Sequence, residues 1–339
     1  MYNKLIRDIK KLGFAWETKD PFIFCVHHLD NYPVGNNNLG PAASLEGRNL
    51  GQDFTTKDGW RMYHGEEIPG FPAHPHRGFE TVTAVLKGFV DHSDSHGAAG
   101  RYGDGDVQWM TAGAGLQHSE MFPLLKDNEP NPLELFQIWL NLPKEKKFAR
   151  PYYTMLWAED IPVYREKDQQ NKVIEVTAIA GQIGDVTPPA PAPDSWAADP
   201  GNEVWIWLIK MEANAQWTIP TASPEVNREL YFYRGDKITI AGIAINPYRS
   251  VELMADQTAV IENGDKEAYM LLLQGAPINE PVVQHGPFVM NTPEEIQKAF
   301  YDYRKTQFGG WPWERYDNVH PRENQRFAKY NDDRKDVVR

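Results

Sequence analysis

Two stretches decide the fold: residues 71–88, FPAHPHRGFETVTAVLKG, and residues 105–123, GDVQWMTAGAGLQHSEMFP. Each holds a pair of donors at i and i+2, His74 with His76 and His118 with Glu120, in β-prone sequence broken by glycine. Successive side chains of a strand alternate faces, so each pair aims both donors the same way. Two such strands brought together in a barrel give three imidazoles and one carboxylate around one cation. That set suits a first-row transition metal with positions left open for substrate or oxygen. Alternation also places Glu80 on the face of His74 and His76, so spacing alone leaves Glu80 and Glu120 as rivals for the fourth position.

Outward from these stretches the pattern stays all-β. Glycines at 97, 100, 103, 105, 113 and 115 punctuate short apolar runs, and Val107–Thr111, Leu133–Leu142, Tyr152–Leu156 and Val173–Ala180 read as strands. After a proline-rich stretch at 186–201, too rich in proline for regular structure, six more strands are expected around Glu203–Met211, Gln216–Ile219, Glu229–Tyr233, Lys237–Ala241, Gln257–Glu262 and Ala268–Gln274. Thr292-Pro293-Glu294-Glu295 predicts a helix start, with Thr292 as N-cap, proline at N1 and Glu295 closing a capping box. Leu5, Ile9 and Leu12, at helical spacing, predict a short amphipathic segment near the N-terminus. Residues 31–59 read as a long surface loop or insertion. The count suits two consecutive small β-barrels with a few short helices: an N-terminal metal-binding domain over 1–150, a metal-free C-terminal domain over 151–305 and a C-terminal tail over 306–339, aromatic then charged from 311, that wraps the surface and frays.

Composition narrows the function. A formal charge of −12, with lysine and arginine scattered, gives no footprint for nucleic acid or anionic membrane. The longest apolar run, about Val204 to Ile209, is far short of a membrane span. Met1 to Asp20 shows no signal-peptide core, and Cys25, the sole cysteine, cannot form an intrachain disulfide; a cytoplasmic home is expected. No phosphate loop, dinucleotide fingerprint or GxSxG elbow appears. Cys25 reads as a small core residue rather than a nucleophile. His27 and His28 read as packing or surface residues, His92 and His96 as flanking a turn outside the site, and His285 as a loop residue able to line a domain interface. Phe79, Trp109 and Phe136 are candidate apolar walls of the site, with core packing as the favoured role for each.

The quoted stretches, with LELFQIWLNLP at 133–143 and EPVVQHGPFVMNTPEEIQKAFYDY at 280–303, resemble the pirin family of the cupin superfamily. The resemblance implies a bicupin, two cupin barrels in one chain, with one divalent metal in the first barrel. The metal implied is usually iron, Fe(II), with Mn, Ni, Cu or Zn as substitutes. By similarity His74, His76, His118 and Glu120 are its ligands, Glu80 takes a supporting place, and the second barrel rigidifies the first. Family activities then suggest a metal-dependent, quercetinase-type dioxygenase that opens a flavonol ring with O2. Glu120 would act as general base toward a small aromatic substrate. The alternative is a non-catalytic, redox-tuned iron module that binds a protein partner. The 31–59 segment, the tail and the small Ala114 depart from what is expected of the family, and Ala114 bears on substrate preference.

Overall fold

The computed structural model describes residues 4–332 and 334–339 and is nearly all β, with a single α-helix, Pro293–Thr306, among the described residues. Two compact units form, and each is discontinuous in sequence: residues 4–25 join Glu159–Asn279, and Val26–Ala158 joins Glu280–Arg339. The consecutive division expected from the sequence does not anticipate this exchange of chain ends.

The first unit is built on a seven-stranded sheet in the order Ile6–Lys11, Arg249–Leu253, Asn227–Arg234, Ala268–Gly275, Trp205–Met211, Val173–Ala180, Val163–Lys167. A four-stranded sheet (Gln216–Ile219, Ala259–Asn263, Ile238–Ile240, Ile243–Ile245) belongs to the same unit. Inward residues of both sheets, among them Trp207, Trp217, Phe232, Ile240, Ile261 and Met270, form one buried core, the two-layer solution that hides one apolar face per sheet. The expected N-terminal amphipathic segment is corrected here: Ile6–Lys11 is a strand, antiparallel to Arg249–Leu253. Three apolar residues at helical spacing are a weak signal over so short a run, and ladder hydrogen bonds with a distant strand override it.

The second unit carries the donor pairs. One of its sheets runs Tyr152–Leu156, Val107–Thr111, Phe79–Lys87, Asn131–Asn141, Phe22–Tyr32, the last of these straddling the unit boundary. The other runs Val337–Val338, Phe327–Lys329, Ala99–Gly103, Phe89–Asp94, Leu116–Met121, Gly70–His76. The tail therefore contributes two strands to the donor-bearing sheet instead of fraying. Tyr102, Met110, Leu116, Leu135, Tyr153 and the tail residue Ala328 share its core. The helix forms as expected, with Thr292 accepting from the Glu295 amide and the Glu295 carboxylate reaching back to the N-cap amide. Its Ile296 and Ala299 pack on Phe288, Met290 and Phe308 of the same unit.

Candidate metal centre

Gly70–His76 is the terminal strand of its sheet, the place where a β-ladder tolerates proline. It carries Pro72 and Pro75, and its register against Leu116–Met121 shifts between Phe71, opposite Glu120, and His74, opposite His118. The bulge turns His74 and His76 onto the face shared by His118 and Glu120. One ring nitrogen from each of His74, His76 and His118 then lies within 4.8 Å of the others. Ring centroids are 4.5 Å apart for His74 and His118, 4.9 Å for His76 and His118 and 4.7 Å for His74 and His76. The fourth residue follows, with a Glu120 Oε2 only 3.6 Å from His118 Nε2.

Hydrogen bonding orients the donors. His74 Nδ1 lies 2.9 Å from the Pro72 carbonyl and His76 Nδ1 3.4 Å from that of Pro287. A carbonyl only accepts, so Nδ1 carries the proton and the Nε2 lone pair is left for a ligand. His118 is fully buried, and neither ring nitrogen has a hydrogen-bond partner. A buried imidazole without a hydrogen-bond partner is costly, and a cation at the common point of the three rings would take up the lone pair of one of its nitrogens. The donor set therefore fits a divalent transition metal. Burial, the largest cause, holds His74 down at about 4 and pushes His76 and His118 well below the ordinary imidazole range. Neutral imidazole is the form that ligates.

Glu120 is 4 % exposed and burial pushes its carboxyl up to about 7, against the opposing pull of His92, Thr83 and Gln137. Gln137 Nε2 donates to Oε2 at 2.8 Å, and the Thr83 hydroxyl sits within reach of both Oε1, at 3.1 Å, and the Gln137 side-chain oxygen. Phe79 and Trp139 wall the His76 side, at ring distances of 5.1 and 5.4 Å.

The structure separates the remaining candidates. Glu80 lies on the next strand, beyond the turn at Arg77 and the positive-φ Gly78, and accepts from Thr111 Oγ1 at 2.6 Å. The alternation argument that made it a rival fails because the strand ends at His76. Phe79, for which the sequence favours core packing, lies against the His76 ring at 5.1 Å. Trp109 pairs with Val82, and Phe136 pairs with Ala84 and stacks on His27 at 4.6 Å. Both lie at alternate positions to the site-facing Thr83 and Gln137, hence on the opposite face, and Trp139 takes the place expected for them. His27 meets Glu134 at 3.1 Å, His28 is buried, and His285 is exposed, edge-on to Phe300. His92, read from the sequence as outside the site, is fully buried, stands opposite Glu120 and lies 5.5 Å from the His118 ring. Thr83, Gln137 and Trp139 carried no signal in the sequence, since only strand pairing brings them to Glu120 and His76.

The pirin profile matches residues 17–140 and the pirin C-terminal cupin domain profile matches residues 206–309. The chain belongs to the pirin family. Rattus norvegicus pirin is 35 % identical over 255 residues, covering 73 % of this chain and 80 % of that one. A pirin-like protein of Caulobacter vibrioides is 36 % identical over 245 residues, covering 71 % of this chain and 81 % of the relative. Among solved structures, quercetin 2,3-dioxygenase from Acinetobacter baumannii matches with a TM-score of 0.70 and 25 % identity, over 90 % of this chain and 98 % of that one. Family membership makes the two units cupin domains of a bicupin. No helix of the described residues is long and apolar enough to cross a membrane.

Proposed function

We propose that this pirin-family chain holds one Fe(II) ion through His74, His76, His118 and Glu120 and opens the ring of a quercetin-type flavonol with dioxygen. The observation that carries this reading is the convergence of three neutral imidazoles on one point, with both nitrogens of the buried His118 left without a hydrogen-bond partner. Similarity to a solved quercetin 2,3-dioxygenase supports the reaction class. In that reaction both oxygen atoms enter the substrate and carbon monoxide leaves. A bound Fe(II) supplies Lewis acidity and redox chemistry toward dioxygen. The chain's own residues do the rest. Glu120, held by Gln137 and Thr83, takes the proton of the flavonol 3-hydroxyl. Phe79 and Trp139 keep water from the His76 side. The Pro72 and Pro287 carbonyls fix the two imidazole tautomers.

A second reading, an iron module whose occupancy tunes a protein-binding surface, is favoured by burial: His76, His118 and Glu120 are each no more than 4 % exposed. One experiment separates the two. Iron-loaded protein is mixed with quercetin while oxygen uptake and carbon monoxide are followed, with Glu120→Gln as control. Uptake with carbon monoxide release that disappears in the variant supports the dioxygenase. Full iron occupancy without uptake removes the flavonol reading and leaves the module. Wild-type turnover in the variant removes Glu120 as the base.

A further inference from the structure

We infer that the chain beyond residue 309, which neither family profile spans, is a strap that sets the geometry of the metal-ligand set, with Trp313 and Asn318 as its positioning residues. The inference rests on the metal-centre reading above. The donors occupy the inner face of the sheet formed by Gly70–His76, Leu116–Met121, Phe89–Asp94 and Ala99–Gly103. Residues between them, Ala73, Gln117, Ser119 and Ser93, point the other way by alternation. Ser93 and Ser119 are nonetheless fully buried. The strap covers that outer face.

Several of its contacts fall on residues next to a donor in sequence or opposite one in register, and one falls on Ser93, which stands opposite Ser119 between His118 and Glu120. Gln117, beside His118, donates to the carbonyl of Gly310 at 3.1 Å. The Trp313 indole N–H donates to the carbonyl of Asp94, which stands opposite His118, at 2.8 Å. The amide of Ala73, beside His74, donates to the Tyr316 carbonyl at 2.8 Å. Asn318 Nδ2 donates to Ser93 Oγ at 2.8 Å, and the His320 ring meets the carbonyl of His92, opposite Glu120, at 3.0 Å. Phe327–Lys329 then pairs with Ala99–Arg101 along the far edge.

The His74 strand shows why this matters. It is an edge strand, Pro72 and Pro75 give it no amide donors, and a bulge interrupts its ladder. Its outer side is tied through Ala73 to the strap. A ligand set tolerates displacements of only about 0.5 Å, so an untied edge strand would loosen His74 and His76 first.

Co(II) is the probe, since its visible absorption reports donor geometry and its loss to a chelator reports retention. Wild type should take up one equivalent. The double variant Trp313→Phe/Asn318→Leu keeps the side-chain bulk and removes both donors. It should release Co(II) about tenfold faster with an altered visible band, while the unfolding midpoint of the metal-free protein falls no further than in Arg322→Ala; should the double variant not fold, each single variant is read the same way. Arg322→Ala serves as the comparison, because Arg322 ties the strap to the carbonyls of Leu124, Leu125 and Asn36, away from the donor strands. Release at the wild-type rate with an unchanged band overturns the strap. Equal acceleration in Arg322→Ala overturns the assignment to Trp313 and Asn318. Failure of wild type to bind Co(II) removes the metal centre itself, and the strap inference with it.

Discussion

Replacing Arg101 by Met tests how the tail is anchored to the donor-bearing sheet. Arg101 is 1 % exposed and its partner Asp91 fully buried, with Nε and Nη2 meeting the two carboxylate oxygens at 2.7 and 2.8 Å. The same guanidinium donates to the carbonyls of His320 and Pro321 at 2.8 Å and of Asn324 at 3.0 Å. Methionine keeps most of the stem and removes every donor. Losing one partner of a buried pair costs about 3–5 kcal/mol, because the other charge stays behind uncompensated. The three carbonyls regain water as the tail loosens, so each adds only about 0.5–1 kcal/mol. The expected loss is therefore about 6 kcal/mol. Asp91 also accepts the His320 amide at 2.8 Å, a bond that asparagine can keep. Arg101→Met/Asp91→Asn should thus recover about 2 kcal/mol of that loss, since no unpaired charge remains. Urea unfolding followed by tryptophan fluorescence and circular dichroism measures both. A loss below about 1 kcal/mol, or a double variant less stable than the single, would refute the buried-pair reasoning.

Three further outcomes are expected. Burial, reinforced by Arg61, holds His28 at about 3 against an ordinary 6.5. Between those values the unfolded chain binds the extra proton, so His28 contributes a stability that is present above pH 6.5 and falls as pH drops toward 3; from pH 7 to pH 5 the loss is about 2 kcal/mol. His28→Leu should flatten that dependence in urea unfolding at the two pH values, and an undiminished loss in the variant would contradict it. Gly78 holds φ +87°, and an added Cβ would lie 2.0 Å from the Val289 carbonyl oxygen. Gly78→Ala should therefore destabilise by more than about 2 kcal/mol, and a variant with a wild-type melting temperature would exclude the close approach. Gln137→Leu removes the amide that holds Glu120 Oε2. Metal affinity, measured by competition with a chelator, should fall about 10- to 100-fold; an unchanged affinity would show that Glu120 needs no such support.

Much of this protein was determined by local sequence. Period-2 runs and glycine turns specified most strands, because alternation and turn chemistry act over a few residues; Tyr152–Leu156 and Val173–Ala180 appear with the bounds read from the sequence. The Thr292 capping box specified the helix start for the same reason. The His74/His76 and His118/Glu120 pairs were legible as donors, since i, i+2 spacing on a strand is itself a statement about faces. What the tertiary structure decided were relations between distant residues. The bulge between Phe71 and His74, the end of that strand before Glu80, and the strand pairing that sets Gln137 and Thr83 against Glu120 depend on register, which no local pattern carries. The same holds for His92, which joins the site because its strand pairs with that of Glu120. It holds also for the chain ends: Ile6–Lys11 becomes a strand, and Phe327–Lys329 completes the donor-bearing sheet, because each finds a free edge far away in sequence. A hydrogen-bond ladder is written by two segments at once, and a single segment read alone shows only half of it.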